Sequence, residues 1–149
     1  APPPKSEFLV EDAEVLFKLV KEGKVESLEE FLKEKGDHLV NIFHKGDTPL
    51  CAAATKGHEE VTRCLLSHGG KPDYTRQNGR GPLYIASERG NAGILRACLE
   101  AGANVDLADA TNKETPVFVA SWRDQLESVR VLKEFNAALY CQKASFLSL

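Results

Sequence analysis

No uninterrupted apolar run among the 149 residues approaches the roughly 20 that a membrane-spanning helix needs. The opening Ala1–Ser6 also lacks the hydrophobic stretch of a secretory signal. There is no basic excess: 19 Lys and Arg stand against 22 Asp and Glu, for a net charge of -3, which argues against a nucleic-acid surface. The acidity is uneven. Residues 1–37 hold six Lys and ten acidic residues, and the remainder holds thirteen basic against twelve acidic. Cysteine is sparse, and Cys51, Cys64, Cys98 and Cys141 fall among apolar helical positions. Free thiols in a reducing, cytoplasmic or nuclear compartment are therefore expected. What remains is ordinary for a globular chain, with 42% hydrophobic and 28% charged residues, a balance that argues against wholesale disorder.

Against that background a repeat stands out. Gly23, Gly57 and Gly90 are spaced 34 and 33 residues apart, and Gly36, Gly69 and Gly102 are spaced 33 and 33. Thr48-Pro49, Gly81-Pro82 and Thr115-Pro116 follow at 33 and 34. Three series sharing one period define a repeat architecture. Each period opens on a Pro at a helix start, where its missing N–H costs nothing. A short Ala-rich helix follows, Leu50 to Ala54 in the second unit, ended by Gly57. A second helix from Glu59 to Ser67 carries Val61, Leu65 and Leu66 on one face and ends at Gly69-Gly70. The polar stretch Lys71 to Arg80 contains the turn signal Asn78-Gly79. The third unit repeats the pattern over Leu83 to Arg89 and Ala92 to Glu100. Shallow first helices let neighbours stack closely while longer second helices splay outside, so the stack should curve and expose a concave face.

The strings TPLCAAATKGHEEVTRCLLSHGG, GPLYIASERGNAGILRACLEAGANVD and TPVFVASWRDQLESVRVLKEFNAAL resemble the ankyrin repeat, as does the degenerate EVLFKLVKEGKVESLEEFLKEKGD. The resemblance implies an all-α solenoid of stacked helix-turn-helix units joined by short β-hairpin loops. The expected organisation is a tail over 1–11, a repeat domain over 12–140 (units 12–43, 44–76, 77–109 and 110–140), and a closing segment over 141–149. That last segment would be either a cap or the start of another repeat. Cys51, Tyr84 and Phe118 replace the His of the family motif, so its hydrogen bonds must be lost or rebuilt. Asp124 stands where the fourth unit would carry Gly, and Asp109 to Glu114 is one residue longer than its predecessor. The charged exterior of the first unit (Glu26, Glu29, Glu30, Lys33) suits a solvent-facing cap.

Catalytic chemistry finds little support. Cys64 and His68 sit four apart on a helix and could share a metal, but no other pair offers matching spacing. A buried small Cys and a polar residue near a helix end is the simpler reading. No orienting third residue accompanies a Cys with His44 or His58. Asn78-Gly79-Arg80-Gly81-Pro82 lacks the Lys-Ser/Thr of a phosphate loop, and Ala1-Pro2-Pro3-Pro4 reads as a linker remnant or a proline-rich ligand. No catalytic residue, metal or cofactor is expected.

The resemblance implies a scaffold or adaptor that is monomeric alone and binds a protein or peptide, with neither nucleic acid nor membrane as partner. The alternative is a recruiting domain of a larger enzyme. Lys56, Arg89 and Arg123 each precede the residue closing a first helix, and Lys45, Arg80 and Lys113 lie in the adjoining hairpins with Arg76. They form a candidate basic row for an acidic or phosphorylated segment, partly neutralised by Asp47, Glu88 and Glu114. Asn78 lies at the same tips. Trp122 is the single Trp and occupies a slot that is polar in the preceding repeats (Thr55, Glu88). With Tyr84 and Phe118 it is the candidate anchor; the competing reading folds it onto Phe146.

Overall fold

The computed structural model describes residues 10–137; Ala1–Pro4, Cys141, Phe146 and the closing segment 141–149 lie outside them. Eight helices in four antiparallel pairs make up the described chain: α1 (Val10–Glu22) with α2 (Val25–Lys35), α3 (Pro49–Lys56) with α4 (Glu59–Ser67), α5 (Pro82–Arg89) with α6 (Ala92–Glu100), and α7 (Pro116–Trp122) with α8 (Leu126–Glu134). The helix α1 begins two residues ahead of the expected unit boundary at residue 12. A short 3-10 helix, Asp37–Asn41, fills the link after α2 and buries Leu39 and Val40.

Local chemistry explains the helix ends. Pro49, Pro82 and Pro116 occupy first-turn positions, where the missing N–H has no helical partner to lose. The Thr48 hydroxyl accepts from the Cys51 N–H at 3.2 Å, and Thr115 accepts from the Phe118 N–H at 3.3 Å. Gly81 offers no such cap. At the other end of α3, α5 and α7 the chain reverses through a left-handed residue: Gly57 (φ 74°), Gly90 (φ 74°) and, in the fourth unit, Asp124 (φ 61°). The following N–H groups, of His58, Asn91 and Gln125, reach back to the Ala53, Ala86 and Ala120 carbonyls at 2.8–3.1 Å, the bonding of a Schellman stop. Asp124 therefore adopts the Gly geometry, at the strain that a left-handed side-chain-bearing residue carries.

First helices pack on first helices (α1, α3, α5, α7) and second helices on second (α2, α4, α6, α8). The core forms two adjoining apolar clusters. Leu16, Val20, Leu28, Leu32, Val61 and Leu65 fill the first two repeats, and Leu83, Ile94, Leu95, Val117, Val131 and Leu132 fill the remaining ones. Small residues divide between them: Ala52 and Ala53 join the first cluster, Cys51 and Ala54 the second. One Ala-rich turn thus serves both neighbours.

The inter-repeat tips are turns and not paired strands. Among the described residues the only β pairing is an isolated bridge between His44 and Asp47, so the expected β-hairpins reduce to tight turns. They lengthen along the chain. His44 pairs with Asp47, the Arg76 N–H bonds the Arg80 carbonyl at 2.9 Å, and the Asp109 N–H bonds the Glu114 carbonyl at 2.9 Å, which accounts for the extra residue in the third tip.

Candidate functional site

The tips and the C-terminal ends of α3, α5 and α7 carry the residues singled out from the sequence. Asp47 is a brace. Its Oδ1 accepts from the Thr48 N–H at 2.9 Å and from Arg76 Nε at 2.8 Å. Arg76 Nη2 also donates to Thr55 Oγ1 at 2.6 Å. The pair therefore ties the first tip to the second and to the end of α3. Asn78 Oδ1 accepts from the Arg80 N–H at 3.0 Å, shaping the turn that Gly79 closes at φ 83°.

The replacements for the motif His rebuild its bonding in two different ways. The Cys51 Sγ faces the Tyr74 and Arg80 carbonyls at 3.8 and 3.7 Å, weak contacts suited to a thiol. Tyr84 donates from its hydroxyl to Glu114 Oε2 at 2.9 Å, with the Arg80 guanidinium 4.7 Å above its ring. Arg80 also lies 3.9 Å from Asp109, a carboxylate whose residue is 1% exposed and which accepts from the Glu114 N–H at 2.8 Å. Tyr84 is only 3% exposed, so the expectation that it faces a partner is corrected. Its ring is covered by Arg80 and its hydroxyl by the next tip. Burial, then the bond to Glu114, raises its pKa above the ordinary tyrosine value.

The basic row is more neutralised than spacing suggested. Lys45, in a left-handed turn position (φ 52°), pairs with Glu14 at 3.5 Å, and Arg123 pairs with Glu88 at 3.4 Å. The Glu88 carbonyl in turn accepts from Gln125 Nε2 at 3.1 Å. Lys56, Arg89 and Lys113 are exposed, and among the described residues none of the three makes an ion pair. Lys56 and Arg89 end consecutive packed helices.

Trp122 is 78% exposed, and its ring stacks on that of half-buried Phe118 at 6.4 Å and 13°. The preceding repeats explain the contrast. Thr55 in the same slot accepts from Arg76, and Glu88 from Arg123, whereas an indole can satisfy neither role and lies against the ring one turn earlier.

A nucleophilic cysteine fits poorly. Cys51, Cys64 and Cys98 are free and buried, and burial pushes the thiols of Cys51 and Cys98 up to about 12, which leaves little thiolate near neutral pH. His58 directs Nε2 to the Lys21 carbonyl at 3.0 Å, a tie between repeats. Sequence reasoning missed that tie, the Gln125 counterpart one repeat pair later, and the organising carboxylate of Asp109. Comparing residues one period apart could have flagged the first two. It also missed that Glu29 lies beside Cys64 and His68, with one potential ligand atom from each within 4.8 Å of the others.

No helix among the described residues is long and apolar enough to cross a membrane. The family model for ankyrin repeats (3 copies) matches residues 16–109 and again 69–143. The chain is 41% identical over 64 residues to mouse NF-kappa-B inhibitor delta, covering 43% of this chain and 20% of that protein. It is 34% identical over 117 residues to human ankyrin repeat and SOCS box protein 18, covering 56% and 25%. A putative ankyrin repeat protein of Rickettsia bellii is 33% identical over 107 residues, covering 62% and 60%. The chain thus spans less than two thirds of each of these relatives. Ankyrin repeats are generally protein-interaction modules without catalytic chemistry, and the periodic helix pairs, their stops and these matches agree: the chain belongs to the ankyrin-repeat family.

Proposed function

We propose that the chain is a scaffold or adaptor module that seats a partner protein along the ends of α3, α5 and α7 and the adjoining tips, with Trp122 as the anchor. The observation that carries this reading is the 78% exposure of Trp122 over Phe118. Large exposed aromatics are costly in water, and Trp and Arg are enriched among interface hot spots. Lys56 and Arg89, free of ion pairs among the described residues, supply cationic groups at the ends of α3 and α5, along the same row of first-helix ends as the anchor, for an acidic or phosphorylated segment. Asp47, Arg76, Arg80, Tyr84 and Glu114 hold the tips in place and are positioning residues. The module works as a monomer in a reducing compartment, cytoplasmic or nuclear, a reading supported by the three free buried thiols.

A second reading, a recruiting domain within a larger enzyme, draws on one fact: in the mouse and human relatives the matched block makes up 20% and 25% of the protein. Selection from an unbiased displayed peptide library, including phosphorylated members, tests the primary proposal. Acidic or phosphorylated ligands with an apolar residue should be enriched. Trp122→Ala and the double variant Arg89→Glu with Arg123→Glu should each lose that enrichment. Retention by both variants would overturn it.

A further inference from the structure

The layer of second helices, away from the tips, carries a cluster that the partner-binding reading does not use. Glu29 projects from α2, while Cys64 and His68 stand one turn apart on α4 and its C-cap. One ligating atom from each lies within 4.8 Å of the other two, the sole such group of three among the described residues. Glu29 Oε1 is 4.0 Å from Cys64 Sγ, and His68 Nδ1 is 2.7 Å from Asp37 Oδ1.

We infer that Glu29, Cys64 and His68 form a binding site for zinc or a comparably thiophilic divalent ion, with Asp37 orienting the His68 ring. The donor set is mixed thiolate, imidazole and carboxylate, which zinc accepts and which magnesium and calcium do not favour. Tetrahedral zinc, with bonds of about 2.0–2.3 Å, places its ligand atoms roughly 3.3–3.8 Å apart. A cluster already inside 4.8 Å therefore needs side-chain adjustments of about an ångström and no helix movement. The Asp37 contact has the form expected around a metal-binding imidazole. In the tautomer with its proton on Nδ1, the ring donates to the Asp37 carboxylate and keeps the Nε2 lone pair for a metal, held in one orientation. Three protein ligands leave a fourth position for water.

The cluster joins two repeats. Glu29 and Asp37 belong to the first, Cys64 and His68 to the second, so an ion there fastens α2 to α4. Binding to the folded stack alone raises its stability by mass action. The sequence concealed the site because two donors four apart make half a site, and the third comes from a helix 35 residues earlier.

The test is metal titration of the full chain in a Cys141→Ser background, which keeps any thiolate signal assignable. Co2+ should bind one per chain with a thiolate-to-metal charge-transfer band that Zn2+ displaces, and Zn2+ should raise the melting temperature. Cys64→Ala and His68→Gln should each abolish the band and the thermal shift. Because the imidazole is partly solvent-facing, His68→Gln keeps the test valid if the cysteine variant folds poorly. Asp37→Asn should weaken affinity by about 10–100-fold, the usual effect of losing such an orienting partner. No charge-transfer band in the parent protein, or unchanged Zn2+ affinity in the two ligand variants, overturns the site. Full affinity in Asp37→Asn overturns the orienting role.

Discussion

Truncating Trp122 to Ala separates a surface anchor from a core residue. The side chain presents an area of roughly 200 Å², and the residue is 78% exposed. Only about a fifth of that area is removed from water, worth about 1 kcal/mol at the usual transfer coefficient. Stacking on Phe118 adds about 0.5 kcal/mol, near the low end for aromatic pairs because one face is wet. The higher helix propensity of Ala returns about 0.5 kcal/mol. The net loss is therefore about 1 kcal/mol, a melting shift of about 3–5 °C for a chain of this size. Ile94→Ala provides the scale: Ile94 is fully buried, and such a truncation costs about 2–5 kcal/mol. Urea unfolding followed by circular dichroism measures both variants. In the parent protein the single Trp reports on itself, and its emission should be that of a hydrated indole, readily quenched by iodide. A loss above about 2 kcal/mol with blue-shifted, iodide-resistant emission would show that Trp122 is packed into the chain. The anchor would then be refuted.

Other expectations follow from the tips and the thiols. At Gly79 (φ 83°) an added Cβ would collide with Ala110, including its backbone nitrogen at 2.8 Å, whereas Gly102 (φ 93°) has nothing within 4 Å. Gly79→Ala should therefore lower the melting temperature well beyond Gly102→Ala, which carries only the left-handed strain of about 1–2 kcal/mol; equal shifts would deny the contact between tips. Asp109→Ala leaves the Glu114 N–H and Arg80 without their carboxylate and should cost about 2–3 kcal/mol in chemical denaturation. A loss under 0.5 kcal/mol, which is no more than a neutral surface change, would count against its role. Burial lifts Cys51 and Cys98 to about 12 and Cys64 to about 11 from an ordinary 9.0, so above pH 9 the unfolded chain binds fewer protons than the folded one. Stability should be fully present below that pH and fall as pH rises through the folded values. Cys98→Ala should flatten this alkaline limb, and an unchanged slope would contradict it. Thiol titration of denatured, unreduced protein should return all four cysteines; two or none would reverse the reading of a reducing compartment.

How far the sequence reached depended on the range of the interaction concerned. The repeat, the helix pairs and the limits of α4 and α6 were legible because each stop is local. A Pro at the first turn, a Thr hydroxyl three residues from its N–H, and a left-handed Gly or Asp all act within five residues. The fold class follows, since units with one apolar face must stack to bury it. The 3-10 segment Asp37–Asn41 escaped notice because no periodic or turn signal marks it; Leu39 and Val40 are held there by burial. Charge pairing was the least legible feature. Arg76 meets Asp47 across 29 residues, and Arg123 meets Glu88 across 35, so the rise between stacked units and the reach of each side chain decide which cations remain free. The same reach covers Tyr84 with Arg80 and the next tip, while Trp122, with neither charge nor hydroxyl to engage a neighbour, stays in solvent. The sequence by itself determined what each unit is; only the stacking of one unit on the next decided which of its side chains are available to a partner.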